Sequence, residues 1–150
     1  MKRALPFVVL AAALQACSGC SNGTSSAPAF PPEAPLDPPW AGKVNPLPNT
    51  PEVLERGRAS FQKNCAPCHG ADGDGKGPAA QFLNPPPANF RDGVRLASHS
   101  DAYLFMRLAV GKHETAMPSF AGTLPEEDRW AIIRFLRAYP GAQDRVSGGS

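Results

Sequence analysis

The chain is predicted to be all-α, with three main helices joined by long loops, and three stretches of sequence predict it. Thr50-Pro51-Glu52 opens a first helix, with Thr50 as N-cap, Pro51 at the first helical position and Glu52 at the positive end of the helix dipole. Residues 101–110 place Tyr103, Leu104, Leu108 and a candidate fourth, Met106, on one face, capped by Ser98 or Ser100 and stopped by Gly111. Thr123 and Glu126, three residues apart, read as a capping box ahead of Trp130, Ile133, Leu136 and Tyr139, which recur at helical spacing until Pro140-Gly141.

The first helix should run to Asn64 with Val53, Leu54, Gly57 and Phe61 on its buried side. Gly57 weakens a helix interior, so its presence marks the close approach of another helix. Asn84-Pro85-Pro86-Pro87-Ala88-Asn89-Phe90 must be extended, because proline lacks the amide a helix needs and restricts the residue before it. Asp72 to Gly77 is rich in Gly and Asp. A calcium loop is excluded, since Lys76 and Leu83 stand where oxygen ligands belong.

Upstream of the helices the chain has a different character. Lys2-Arg3 followed by apolar Ala4 to Leu14 is an export-signal pattern, too short to span a bilayer as a mature helix. Leu14-Gln15-Ala16-Cys17 resembles a bacterial lipobox, which makes residues 1–16 a signal peptide and Cys17 the acylated first residue of the mature chain. Leu14 also fails the small-residue rule for an ordinary signal peptidase cutting after Ala16. The expected location is the bacterial cell envelope, lipid-anchored to a membrane and facing the periplasm. Cys20 is an incidental thiol, or a partner for Cys17 were that residue not lipidated. Residues 17–49, dominated by proline, read as a disordered tether with a reach of roughly 90 Å at about 3.1 Å per residue. Trp40 and Val44-Asn45-Pro46-Leu47-Pro48 depart from this blandness and can pin an extended segment to a neighbouring surface. This leaves a folded domain at residues 50–140 and a flexible tail at 141–150.

Cys65-Ala66-Pro67-Cys68-His69 carries the chemistry. A Cys-x-x-Cys pair alone fits zinc or a thioredoxin-like redox centre, but residues 50–140 have no second cysteine pair, no His-x-x-x-His and no thioredoxin-like first strand. A histidine immediately after the second cysteine, in an exported chain, reads instead as covalent haem attachment: both thiols bond the porphyrin vinyls and His69 takes the iron. Cofactor-binding Cys65 and Cys68 and metal-binding His69 therefore call for a second axial ligand among Met106, Met117, His99 and His113. Met117-Pro118 lies in a loop free to present a sulfur, whereas Met106 sits at core spacing in a helix. His113-Glu114 fails as a zinc-protease motif because Met117 replaces the second histidine. His99 and His113 are read as exposed loop histidines.

The net charge of +2 is small, and eleven basic residues face ten acidic ones between Thr50 and Pro140. Two haem propionates would make that region slightly negative, so no nucleic-acid partner is expected. Arg129, Arg134 and Arg137 on the last helix are read as a solvated face.

Cys65-Ala66-Pro67-Cys68-His69 after a first helix, Met117-Pro118 in a late loop and a final amphipathic helix resemble the class I cytochrome c domain over residues 50–140. The resemblance implies a cytochrome c fold, three main helices with loops wrapped around one covalent haem c, and no catalytic residues. It implies that Gly57 and Phe61 pack across Leu136 and Tyr139, and that a carbonyl near Pro85, Pro86 or Pro87 fixes the haem histidine. Residues 45–57, running into the haem motif, and the lipobox are similar to the mono-haem lipoprotein cytochrome subunit of alternative complex III, a quinol-oxidising membrane assembly. The function implied is single-electron transfer in a respiratory chain as a subunit of such a complex, with redox proteins as partners. A stand-alone periplasmic carrier, or a haem enzyme or sensor with an open sixth site, are the alternatives.

Overall fold

Thr50 caps helix α1 (Pro51–Asn64), its hydroxyl accepting the Val53 amide at 3.5 Å. The computed structural model describes residues 35–139; the expected signal peptide, Cys17, Cys20 and the tail lie outside the described residues. Cys65 ends α1 by donating its amide to the Phe61 carbonyl, and α2 (Ala66–His69) follows at once. A 3-10 turn (Ala80–Phe82), α3 (Gly93–Ala97), α4 (Asp101–Val110) and α5 (Glu126–Arg137) complete the order. The described residues hold no strand, as expected, and none of their helices is long and apolar enough to cross a membrane. Residues 83–92 are non-helical, and the three short elements went unforeseen because each is too brief to show periodicity.

Ser100, the second of the two expected caps, starts α4 by accepting the Tyr103 amide at 3.0 Å, and Gly111 closes that helix. The start of α5 is a correction. Pro125 occupies the N-cap position, and the amides of Thr123 and Leu124 go to the Phe120 carbonyl in a preceding turn. Glu126 does not reach back to Thr123; its carboxylate accepts the indole N–H of Trp130 at 3.3 Å. The helix still begins with Glu126, Glu127 and Asp128 at its positive end, and Arg56 of α1 pairs with the last two at 2.7 and 2.6 Å.

The core forms where α1 and α4 pack on α5. Phe61, Phe105, Ile132 and Ile133 are its largest fully buried side chains, and Phe105 stacks on Trp130 with ring centroids 4.0 Å apart. Gly57 faces α5 across a gap too narrow for a side chain, but its neighbours there are Ala131 and Phe135. The anticipated Leu136 and Tyr139 lie about one turn further along. Leu136 is buried, and Phe61 meets the rings of Phe135 at 5.5 Å and Tyr139 at 6.3 Å.

Arg129, Arg134 and Arg137 do not form a solvated face. Arg129 is buried with its guanidinium 4.6 Å from the Phe105 centroid. Arg134 donates to the carbonyls of Leu47 at 2.8 Å and Asn45 at 3.2 Å. Arg137 pairs with Asp101 at 2.9 Å and donates to the carbonyls of Leu96 and His99. A planar fork with five donors can tie several chain segments together, a use that charge counting does not reveal.

The folded body consequently extends upstream of Thr50. Trp40 packs against Phe105 at 6.2 Å, and the buried Asn45 side chain donates to the Trp130 carbonyl at 3.0 Å while accepting the Leu47 amide at 3.1 Å. The segment is pinned to its own domain. Asn45→Ala leaves the Trp130 carbonyl without this donor and is expected to cost about 1–3 kcal/mol. A urea titration of the haem-loaded protein checks the cost, and faster proteolysis upstream of residue 50 checks the release.

Candidate haem site

The site begins with the single turn of α2. Residues spaced three and four apart on a turn share a face, and Cys65, Cys68 and His69 all line one cavity. The loop after His69 holds this turn by its backbone. Gly70, Ala79, Gly77 and Gly75 donate their amides to the carbonyls of Ala66, Pro67, Cys68 and His69 respectively, at 2.8–3.1 Å. Every carbonyl of the turn is thereby satisfied, which a helix end needs when it lines a cavity. Gly77 must be glycine, since a Cβ would run into the carbonyl oxygens of Pro67 and Ala66. The Gly- and Asp-rich loop serves as this brace.

His69 is oriented from two sides. Its Nδ1 lies 2.9 Å from the Ala88 carbonyl, and its ring stacks on Phe90 with centroids 4.6 Å apart. Because a carbonyl can only accept, Nδ1 carries the proton and Nε2 keeps its lone pair. Burial, partly opposed by the Ala88 hydrogen bond, lowers the His69 pKa and so favours the neutral imidazole. The carbonyl belongs to Ala88, just past Pro87, rather than to any of the three prolines. The prolines instead line the cavity.

Burial, with Cys68 beside it, pushes the Cys65 thiol up to about 12. No disulfide joins Cys65 and Cys68. The Met117 segment is strapped to the end of α4: Lys112 donates its amide to the Met117 carbonyl at 3.2 Å, and Phe120 and Ala121 donate theirs to Leu108 and Ala109 at 2.9 and 3.3 Å. Those acceptors include carbonyls that the helix end leaves open. Gly111, at φ +75, permits the close crossing, because a Cβ there would sit 2.6 Å from the Met117 carbonyl oxygen.

Met117 lines the same cavity as Cys65, Cys68 and His69. Of the rejected ligand candidates, Met106 and His99 are not on its wall. His99 is half-buried and stacks on Tyr103 at 4.3 Å, so it is no exposed loop histidine, whereas the His113 side chain is 95% exposed as expected. The remaining wall is mainly apolar, with Phe61, Leu83, Leu108, Phe120, Ile132 and Leu136. The cavity measures about 290 Å³ and is partly open to solvent. Two thiols, an imidazole with its Nε2 free and a thioether around a mainly apolar cavity fit a covalently bound haem.

Residues 52–136, more than half of the chain, match the family described as cytochrome C oxidase, cbb3-type, subunit III. The chain belongs to this family. It is a cytochrome c electron-transfer domain, and the cofactor of such a domain is one covalently bound haem c. A curated relative, the cbb3-type cytochrome c oxidase subunit FixPc of Rhizobium leguminosarum bv. viciae, is 31% identical over 94 residues, covering 63% of this chain. The match spans 30% of that relative's length. Among solved structures, a chain of the Kuenenia stuttgartiensis reducing HAO-like protein complex aligns with a TM-score of 0.54 at 28% identity, covering 61% of this cytochrome c domain's chain and 45% of the other. Cytochrome CL from Methylophaga aminisulfidivorans aligns with a TM-score of 0.47 at 23% identity, over 59% of this chain and 55% of that one.

Proposed function

We propose that the chain is a membrane-tethered, single-haem electron carrier working as a subunit of a respiratory assembly, with Cys65 and Cys68 bonding the haem and His69 and Met117 holding its iron. The observation that carries the reading is the single cavity that gathers these four side chains, with Ala88 fixing the tautomer of His69. When bound, the haem supplies a one-electron ferric/ferrous couple. The protein's own work is to bury it, choose its ligands and leave a side of the cavity open to partners. If His69 and Met117 both hold the iron, a substrate would have no place on it, which favours a carrier over a haem enzyme or sensor.

The finer parts of the reading rest on the sequence. The lipobox ending at Cys17 supports an acyl anchor and a periplasm-facing location in the cell envelope. Residues 45–57 support a quinol-oxidising complex of the alternative complex III kind. That the relatives include a cytochrome oxidase subunit and a chain from a multiprotein complex supports assembly with larger redox partners.

Peptide mass spectrometry tests the first part: residues 65–69 should carry the mass of one haem, and Cys65→Ser/Cys68→Ser should abolish haem staining in a denaturing gel. A wild-type peptide without the added mass would overturn the reading. Metabolic labelling with a fatty acid, lost in Cys17→Ala, tests the anchor. Mild detergent extraction tests the assembly: co-migration with quinol-binding subunits supports a complex, and a lone haem protein identifies a free carrier.

A further inference from the structure

Among the described residues, Arg95 of α3 and Lys112, just beyond α4, are the cationic side chains on the cavity wall, and no Asp or Glu lines it. Both residues are exposed, which places them at the rim of the site. Neither charged head has a hydrogen-bond or ion-pair partner among the described residues; what bonds they make run through the backbone. Most other described arginines differ. Arg56, Arg58, Arg134 and Arg137 bond named acceptors, and Arg107 and Arg129 lie over aromatic rings.

The cofactor of a cytochrome c domain carries two carboxylates, which are costly to leave against an apolar wall without partners. A guanidinium is suited to bind a carboxylate through two parallel hydrogen bonds, while an ammonium acts as a compact point charge. We propose that Arg95 and Lys112 are the counter-ions of the two haem propionates, positioning the cofactor from its carboxylate edge while Cys65 and Cys68 fix it elsewhere. The inference rests on the haem reading of the cavity. It adds a function for two residues that no sequence motif distinguishes.

Removing a cation beside the haem disfavours the electron-rich ferrous state. In the purified haem-loaded protein at fixed pH and salt, Arg95→Gln and Lys112→Gln are each expected to lower the equilibrium constant for reduction roughly threefold, the size for one unit charge in a dielectric between protein and water. The redox-difference infrared bands of the propionate carboxylates should shift as well. Arg95→Lys should recover most of the potential but not the infrared band, because a point charge replaces a two-bond fork. Lys63→Gln, the same charge change on the exposed side of α1 away from the cavity wall, is the control and should leave both readouts in place.

Potentials and propionate bands that match the control in both variants would overturn the proposal. If the same variants then slowed reaction with an acidic partner in a salt-dependent way, the two cations would belong to partner docking instead. A haemless wild-type protein, by contrast, would defeat the reading of the cavity itself, so the two failures are distinguishable.

Discussion

Gly57→Ala is expected to destabilise the haem-loaded protein by about 2–4 kcal/mol. A Cβ at Gly57 would be driven into the Ala131 carbonyl oxygen, and it would lie 2.6 Å from the carbonyl carbon and 2.9 Å from Phe135 Cβ. The obstacle is mainly the backbone of α5, which cannot swing aside as a side chain tip can. Overpacking ordinarily costs about 1–3 kcal/mol and sometimes more. Alanine recovers up to about 1 kcal/mol through its better helix propensity, which offsets only part of the loss. Total stabilities are about 5–15 kcal/mol, so the loss is a large share. Denaturant unfolding followed by absorbance of the haem and by circular dichroism should show a lower midpoint. A midpoint within about 0.5 kcal/mol of wild type would mean that α1 and α5 can separate freely, contrary to the packing of Phe61 on Phe135. Gly57→Val adds two methyl groups at the same crossing and should prevent accumulation of folded protein.

The parts of the fold that were legible in the sequence are those set by local chemistry. Thr50 and Ser100 each bond an amide three residues on, so caps read from the sequence gave the starts of α1 and α4 correctly. At α5 the same reasoning failed, because Pro125 precluded the box and Trp130 offered Glu126 another partner. Phe105 was missed for a different reason. Helix α4 is apolar almost all round, so periodicity does not select its inner face; the stack on Trp130 does, together with Trp40 from the lead-in segment. Four residues that share the cavity wall were singled out in the sequence, Cys65, Cys68 and His69 because the motif is contiguous and Met117 because a methionine before a proline in a loop is conspicuous. Ala88, Arg95 and Lys112 were not. Ala88 acts through its carbonyl, which every residue has, and the two cations are indistinguishable from other surface charges until the cavity is seen.

Met117→Ala should change the redox behaviour most. Among the described methionines and histidines considered as second ligand, Met117 lines the cavity, while Met106 and His99 lie elsewhere and the His113 side chain points to solvent. Phe120 and Ala121 bond the loop to α4, Lys112 donates across it to the Met117 carbonyl, and Thr115 accepts the Met117 amide at 3.2 Å, so truncating the side chain should leave the loop in place. The expected loss is the sulfur alone. A soft thioether favours ferrous iron, and axial ligation spans roughly 0.8 V across haem proteins; removal should lower the potential by on the order of 0.1–0.3 V. The ferric protein should also lose its weak absorption near the red edge, and the ferrous protein should gain rapid carbon monoxide binding. These readouts decide between the functional classes. A wild-type protein that already binds carbon monoxide readily, with a spectrum that Met117→Ala leaves unchanged, would have an open iron and belong with the haem enzymes or sensors. A wild-type protein that excludes carbon monoxide until Met117 is truncated would instead have an iron closed to substrates, as the proposed electron carrier requires.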